Sequence, residues 1–250
     1  MGDNRGLRIA AVVTICGATL TVASAAASPA VRPASHCRGG VLHPVGTQLA
    51  AYAAVVNGKT RAYKRPNGAL RARFSKLTDL GYPTTFWIVG AILNNRCGAT
   101  WYRVKLPIKP NGAVGYVRPK DVSVEKVTTR ISVDLSRREL RLYRRGKLVL
   151  RTPVAVGSPS TPTPIGRYFV SQRIKMSNPW GPFGPVVLAV SAFSNVLQGW
   201  AEGGPIAIHG TNAPWTIGRA ASHGCIRVQN ETLTRLYAAT AGGTPVVIHP

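Results

Sequence analysis

Acidic residues are scarce in this 250-residue chain: 8 Asp and Glu stand against 32 Lys and Arg, a formal net charge of +24. That imbalance says little about fold. It draws the protein toward polyanions, by an attraction that salt weakens. Cysteine is sparse too, with Cys16, Cys37, Cys97 and Cys225 the only four. No internal repeat and no sustained heptad is present, which excludes a repeat array and a coiled coil. Charge is missing altogether from Ile9 to Ser28.

That uncharged run follows Arg5 and Arg8 and ends in Ala23-Ser24-Ala25 and Ala25-Ala26-Ala27. A basic start, an apolar middle and small residues at the end describe a signal peptide over residues 1–27. The rival is an uncleaved membrane anchor, because a run of that length can just span a bilayer. Its richness in Ala, Ser and Thr rather than Leu favours the signal. Cys16 follows Ile15, not a small residue, which argues against a lipoprotein cleavage site. The expected location is therefore outside the cytoplasm, in a cell wall or a periplasm-like space. Export disfavours nucleic acid as a partner and favours anionic cell-wall polymers. Membrane contact is expected only through an uncleaved anchor.

Without Cys16, three cysteines remain, and an odd count in an exported chain leaves one thiol unpaired. Cys37 and Cys97 both lie in the N-terminal half and form the natural disulfide of an oxidising compartment. Cys225 is then the free thiol. Outside the cytoplasm such a thiol is a liability unless its reactivity is used.

Residues 28–58 read as an N-terminal segment, opening on a Pro/Ala/Ser stretch. Beyond them, "TTFWIVGAIL" (Thr84–Leu93), "TWYRVKLP" (Thr100–Pro107) and "GYVRPKDV" (Gly115–Val122) are strand-like runs broken by turn signals such as Asn111-Gly112. The order W-Y-x-V, glycine turn, G-Y-V resembles the SH3-like domain of bacterial cell-wall proteins, placed over residues 59–126. From 127 to 250 the pattern stays β-rich. "ELRLY" and "KLVLRTPVAV" around Arg145-Gly146 make a hairpin, "PVVLAVSAF", "PIAIHG" and "TPVVIHP" are strands, and "SPSTPTPIGRYFV" is a Pro-rich loop entering another. Only "NETLTRLYAAT" (Asn230–Thr240) reads as a helix, with Asn230 as its N-cap. The chain is thus expected to be mostly β.

The chemistry concentrates in "IHGTNAPWTIGRAASHGCIRV" (Ile208–Val228). A thiol becomes a strong nucleophile when a neighbouring imidazole takes its proton. His209 closes an apolar strand, and Cys225 follows sixteen positions later. Gly224 permits a tight turn and close approach of a substrate. Backbone N–H groups near Gly224 and Cys225 are placed to receive an oxyanion, and Arg227 to pair with a carboxylate. Three rivals compete. His209, His223 and Cys225 supply three zinc ligands, but no fourth is evident. A lone free cysteine is often simply buried. Papain-like peptidases place Cys before His, and sortases, which share the His, Cys, Arg order, carry a T-L-x-T-C signature absent here.

His209-Gly210, then Ser222-His223-Gly224-Cys225-Ile226-Arg227, resembles the signature of the L,D-transpeptidases with a YkuD-type catalytic domain. "TNAPWTIG", "PVAVGSPSTPTPIGRY" and "VDLSRRELRLYRRGKLV" look family-like as well, so the resemblance covers about Val127 to Ile248. With the SH3-like resemblance before it, this implies an SH3-like small β-barrel followed by a β-rich catalytic domain with one short helix. It also implies action on peptidoglycan stem peptides without metal or organic cofactor. Cys225 would attack the third residue of a tetrapeptide donor, D-Ala would leave, and an amine of a second stem would resolve the thioester into a 3→3 cross-link. His209 would be the general base, with the Gly210 carbonyl orienting its ring. Ser222, His223 and Gly224 would shape the nucleophile loop and oxyanion site, and Arg227 would meet substrate. Trp180 and Phe183 in "MSNPWGPFGP" lie where the family has a flap. The alternatives are an L,D-carboxypeptidase or hydrolase on the same path and, from a different class, a non-catalytic wall-binding protein.

Overall fold

The computed structural model describes residues 38–197 and 204–250. The proposed signal peptide, Cys16 and Cys37 lie outside the described residues. The first strands are β1 (Leu42–Pro44), β2 (Ala51–Val56), β3 (Lys59–Tyr63), β4 (Leu70–Ser75), β5 (Thr85–Leu93), β6 (Ala99–Lys105), β7 (Val114–Val117) and β8 (Val122–Val127). Then follow β9 (Thr129–Asp134), β10 (Glu139–Arg144), β11 (Lys147–Pro153), β12 (Val156–Gly157), β13 (Gly166–Lys175) and β14 (Val186–Phe193). The chain ends with β15 (Pro205–His209), β16 (Ala220–Ser222), β17 (Ile226–Arg227), helix α1 (Asn230–Ala239) and β18 (Pro245–His249). The protein is mostly β with one helix among the described residues, as the strand patterns imply.

The first sheet runs in the order β4-β3-β7-β6-β5-β2-β8, with β1 paired to β5. β1 and β2 precede Lys59, so this sheet draws on the 28–58 segment as well as on 59–126. Alternation along its strands turns Val56, Phe86, Ile88, Val104 and Val117 inward to one core. The second sheet runs β11-β10-β9-β18-β13-β14-β15-β17, and β12 pairs with β16 apart from it. The β10–β11 hairpin turns at Arg145 and Gly146, with φ of 48° and 78°. Two consecutive positive φ values are what a two-residue turn needs to match the twist of its strands.

In the second sheet β9 pairs β18, and β15 pairs β17, in parallel. Its core holds Ile131, Leu140, Leu142, Leu188, Ile206, Ile208 and Ile226, covered by Leu233 and Leu236 of α1. Those two leucines are three apart and share one face of the helix. Asn230 is not the N-cap. Gln229 holds that position, without a side-chain cap bond. Asn230 Oδ1 instead accepts the Thr211 N–H at 2.8 Å. A tertiary donor has taken the oxygen that capping would have used.

The described residues all belong to one compact unit. A third cluster joins Ala51, Ala53, Trp87 and Val127 of the first sheet to Phe169 of the second. Asn111 works in the same sense: its amide donates to Phe193 O at 2.8 Å and its oxygen accepts the Phe193 N–H at 2.8 Å.

Candidate active site

Strand β15 ends at His209 and strand β17 begins one residue after Cys225. Their parallel register sets Ile208 beside Ile226 and His209 beside Arg227. Ile206, Ile208 and Ile226 all point into the core. Because side chains alternate along a strand, Ala207, His209, Cys225 and Arg227 project from the opposite face. The fifteen-residue excursion between His209 and Cys225 therefore closes on itself, and the two side chains stand on one surface, one diagonal apart.

His209 is only 4% exposed. Its Nδ1 lies 2.6 Å from Gly210 O. A carbonyl can only accept, so Nδ1 carries the proton and Nε2 is left as the basic nitrogen. The ring of Phe183 meets the imidazole edge to face, 5.0 Å between centroids. Burial pulls the His209 pKa down to about 4, partly opposed by the Gly210 bond and reinforced by the Arg227 charge. The imidazole is thus neutral at pH 7.

Cys225 is a free, half-buried thiol. Burial raises its pKa, while the Ala207 backbone and Arg227 pull the other way. Its Sγ lies 4.0 Å from Pro205 O, a long thiol contact. The resting pair is therefore thiol and neutral imidazole rather than an ion pair.

A framework of hydroxyls holds the turn before Cys225. Ser222, 2% exposed, donates to Cys225 O at 2.5 Å and accepts the Gly224 N–H at 3.1 Å. The Gly224 N–H is therefore engaged, and of the two backbone donors expected to meet an oxyanion only that of Cys225 stays in contention. Gly224 has φ of 111°, in the region that glycine alone adopts without strain. His223 is exposed between them. Thr163 Oγ1 accepts the Gly157 N–H at 2.9 Å and donates to Gly224 O at 2.9 Å. Thr161 Oγ1 donates to Ser222 O at 3.1 Å, a carbonyl that also accepts the Ser158 N–H at 2.9 Å. Gly157 admits no side chain, since a Cβ there would lie 2.3 Å from Thr161 O. In sequence this segment reads only as a Pro-rich loop, and these contacts are not evident. Its signal was the pair of threonines between the prolines.

The Gly210 turn is pinned in a similar way. Its N–H donates to Phe183 O at 2.8 Å, and its α-carbon faces those of Gly184 and the side chain of Asn230. Phe183 thus reaches the site, whereas Trp180 is 83% exposed. Arg227 is half-buried, and its backbone bridges Ala155 in both directions, at 2.9 and 3.0 Å. Among the described residues no three His, Cys, Asp or Glu side chains are grouped to hold a metal ion. Cys97 has a partner and is not a free thiol. Its expected partner, Cys37, lies outside the described residues.

Residues 128–248 match the family described as YkuD, L,D-transpeptidase catalytic domain. The chain is 40% identical over 126 residues to a Bacillus licheniformis protein that bears the provisional name L,D-transpeptidase YkuD, covering 50% of this chain and 68% of that protein. The Bacillus subtilis protein of the same provisional name is 34% identical over 119 residues, covering 48% of this chain and 65% of its own. A crystal structure of a variant Enterococcus faecium L,D-transpeptidase is similar at 24% identity and a TM-score of 0.37, covering 48% of this chain and 49% of that one.

Proposed function

Since the chain belongs to the family of YkuD-type L,D-transpeptidase catalytic domains, we propose that it is a peptidoglycan L,D-transpeptidase with Cys225 as nucleophile and His209 as general base. The observation that carries this reading is the bond from His209 Nδ1–H to Gly210 O. It leaves Nε2 unprotonated on the sheet face that also presents Cys225.

The steps follow from that arrangement. As Sγ attacks the carbonyl carbon of the third stem residue, Nε2 takes the thiol proton. The oxyanion that forms meets the Cys225 backbone N–H, and the Arg227 charge favours thiolate character on the attacking sulfur as its proton leaves. When the C–N bond breaks, the imidazolium returns its proton to the amine of D-Ala, leaving a thioester. An amine of a second stem then attacks the thioester, giving its proton to Nε2, and the released sulfur recovers a proton. The product is a 3→3 cross-link. Because thiol and imidazole are both neutral at rest, the thiolate is generated only when substrate is engaged. That suits a cysteine exposed to oxidants, since the thiolate is the oxidisable form.

The same reading includes a signal peptide over residues 1–27, an SH3-like wall-binding module over 59–126, a Cys37–Cys97 disulfide and action at the cell wall on peptidoglycan and its anionic polymers. The net charge of +24 supports the last.

Incubation with a disaccharide-tetrapeptide, read by mass spectrometry, tests it. A 3→3 dimer that disappears in Cys225→Ala is the expected result. Tripeptide without dimer would identify a carboxypeptidase, and no product in either protein would leave a wall-binding role.

A further inference from the structure

A cavity among the described residues lies on the first sheet rather than at Cys225. It is a cleft of about 650 Å³ lined by Lys59, Arg61, Arg73, Arg118 and Lys120, with Asp121 as its acidic member. From the cationic lining of this cleft we infer a second binding site, one for a phosphodiester polymer. It deepens the reading of anionic wall partners but stands whether or not Cys225 is the nucleophile.

The cleft is built against its own repulsion. β3 and β4 pair in a register that sets Arg61 directly across from Arg73. Like charges in that position destabilise a strand pair. Arg118 and Lys120 arrive from a different element, at the end of β7 and in the turn Pro119–Asp121. Asp121 accepts from Thr60 Oγ1 at 3.2 Å. The ion pairs among the described residues involve Asp134 and Glu139 of the other sheet. Basic residues on an edge strand also guard it against pairing with other chains, but that task needs charges along one strand, not five cations from three elements around one cleft.

Arg118 is fixed in advance. Its guanidinium stacks on Trp101 at 3.7 Å and its Nη2 donates to Asn67 Oδ1 at 2.9 Å. Two neighbouring guanidinium forks with side-chain origins about 5 Å apart call for an anion whose oxygens point in several directions. Phosphate has that shape, and a carboxylate offers two oxygens in one plane. The aromatic residues argue against nucleic acid. Base stacking needs an open ring face. Trp101 is 4% exposed beneath Arg118, Tyr63 meets it edge to face, and Phe74 packs against Phe86. The fitting ligand is a polyol-phosphate chain without bases.

The test is binding of a labelled short poly(glycerol phosphate) to the full chain. Arg61→Gln/Arg73→Gln should weaken it by about tenfold or more and lower the slope of log affinity against log salt by roughly 1.5–2. Arg144→Gln/Lys147→Gln removes equal charge from the exposed β10–β11 turn and should change affinity by less than about twofold. The cleft variant should also melt at a higher temperature, because the cross-strand repulsion is gone. Equal losses in the two variants would reduce the effect to diffuse charge and overturn the site. So would a lower melting temperature in the cleft variant, or tighter binding of polyglutamate or of single-stranded DNA than of the polyol phosphate.

Discussion

Replacing Thr163 by Val asks whether the loop Ser158–Pro164 positions Cys225. The swap changes a hydroxyl for a methyl at a site only 4% exposed. It strands the Gly157 N–H and the Gly224 carbonyl, both now held by Thr163 Oγ1 at 2.9 Å. Each buried group left without a partner costs about 1–3 kcal/mol, so a combined loss of about 3 kcal/mol is expected. For a unit of this size that lowers the melting temperature by about 6–12 °C. Thr161→Val is the comparison. Its target, Ser222 O, keeps the Ser158 N–H as a donor, so its cost should be nearer 1 kcal/mol. The catalytic effect is separable. Gly224 precedes Cys225, and a displacement of about 1 Å at the sulfur costs about a hundredfold in rate. The assays are thermal unfolding and the rate of acyl-enzyme formation by mass spectrometry, with Thr163→Ser restoring most of both. If Thr163→Val melts like Thr161→Val and acylates within about twofold of the parent, the loop is no more than a neighbour of the site.

Two further outcomes follow from the site. Acylation should hold its rate from neutral pH down to near pH 5 and fall with an apparent pKa of about 4, where His209 takes a proton; an acid limb near 6.5 in the pH–rate profile would contradict the buried, neutral imidazole. Stability should move with it. Between pH 6.5 and about 4 the unfolded chain takes up the histidine proton and the folded one does not, so stability falls with pH across that window by up to about 3 kcal/mol. Gly210→Ala would place a Cβ 2.2 Å from Asn230 Oδ1 and 2.9 Å from Gly184 Cα. It should cost about 1–3 kcal/mol in unfolding experiments and about a hundredfold in acylation through the displaced carbonyl. Asn230→Ala should not rescue it, because the Gly184 backbone still blocks the space.

Much of this protein was legible in its residues. Alternation identified most of the strands, Arg145-Gly146 the hairpin turn, and the run Asn230–Thr240 the one helix, because these are local properties of a few residues in a row. The candidate pair was legible as well, since an odd cysteine and a strand-end His-Gly stand out in the residues themselves. Four things were decided only by the fold. The ends of residues 28–58 that join the first sheet carry no mark of their own, because strand pairing is a long-range choice. Asn230 reads as a cap in isolation, yet Thr211, nineteen positions earlier, supplies the donor it accepts. The Ser158 N–H and the hydroxyls of Thr161 and Thr163 meet the Cys225 turn across some sixty residues. Arg61 and Arg73 likewise became one cationic site only when β3 paired with β4. Local chemistry is written in the order of residues, but which donor finds which acceptor, and which charges face each other, depends on packing that brings distant segments together.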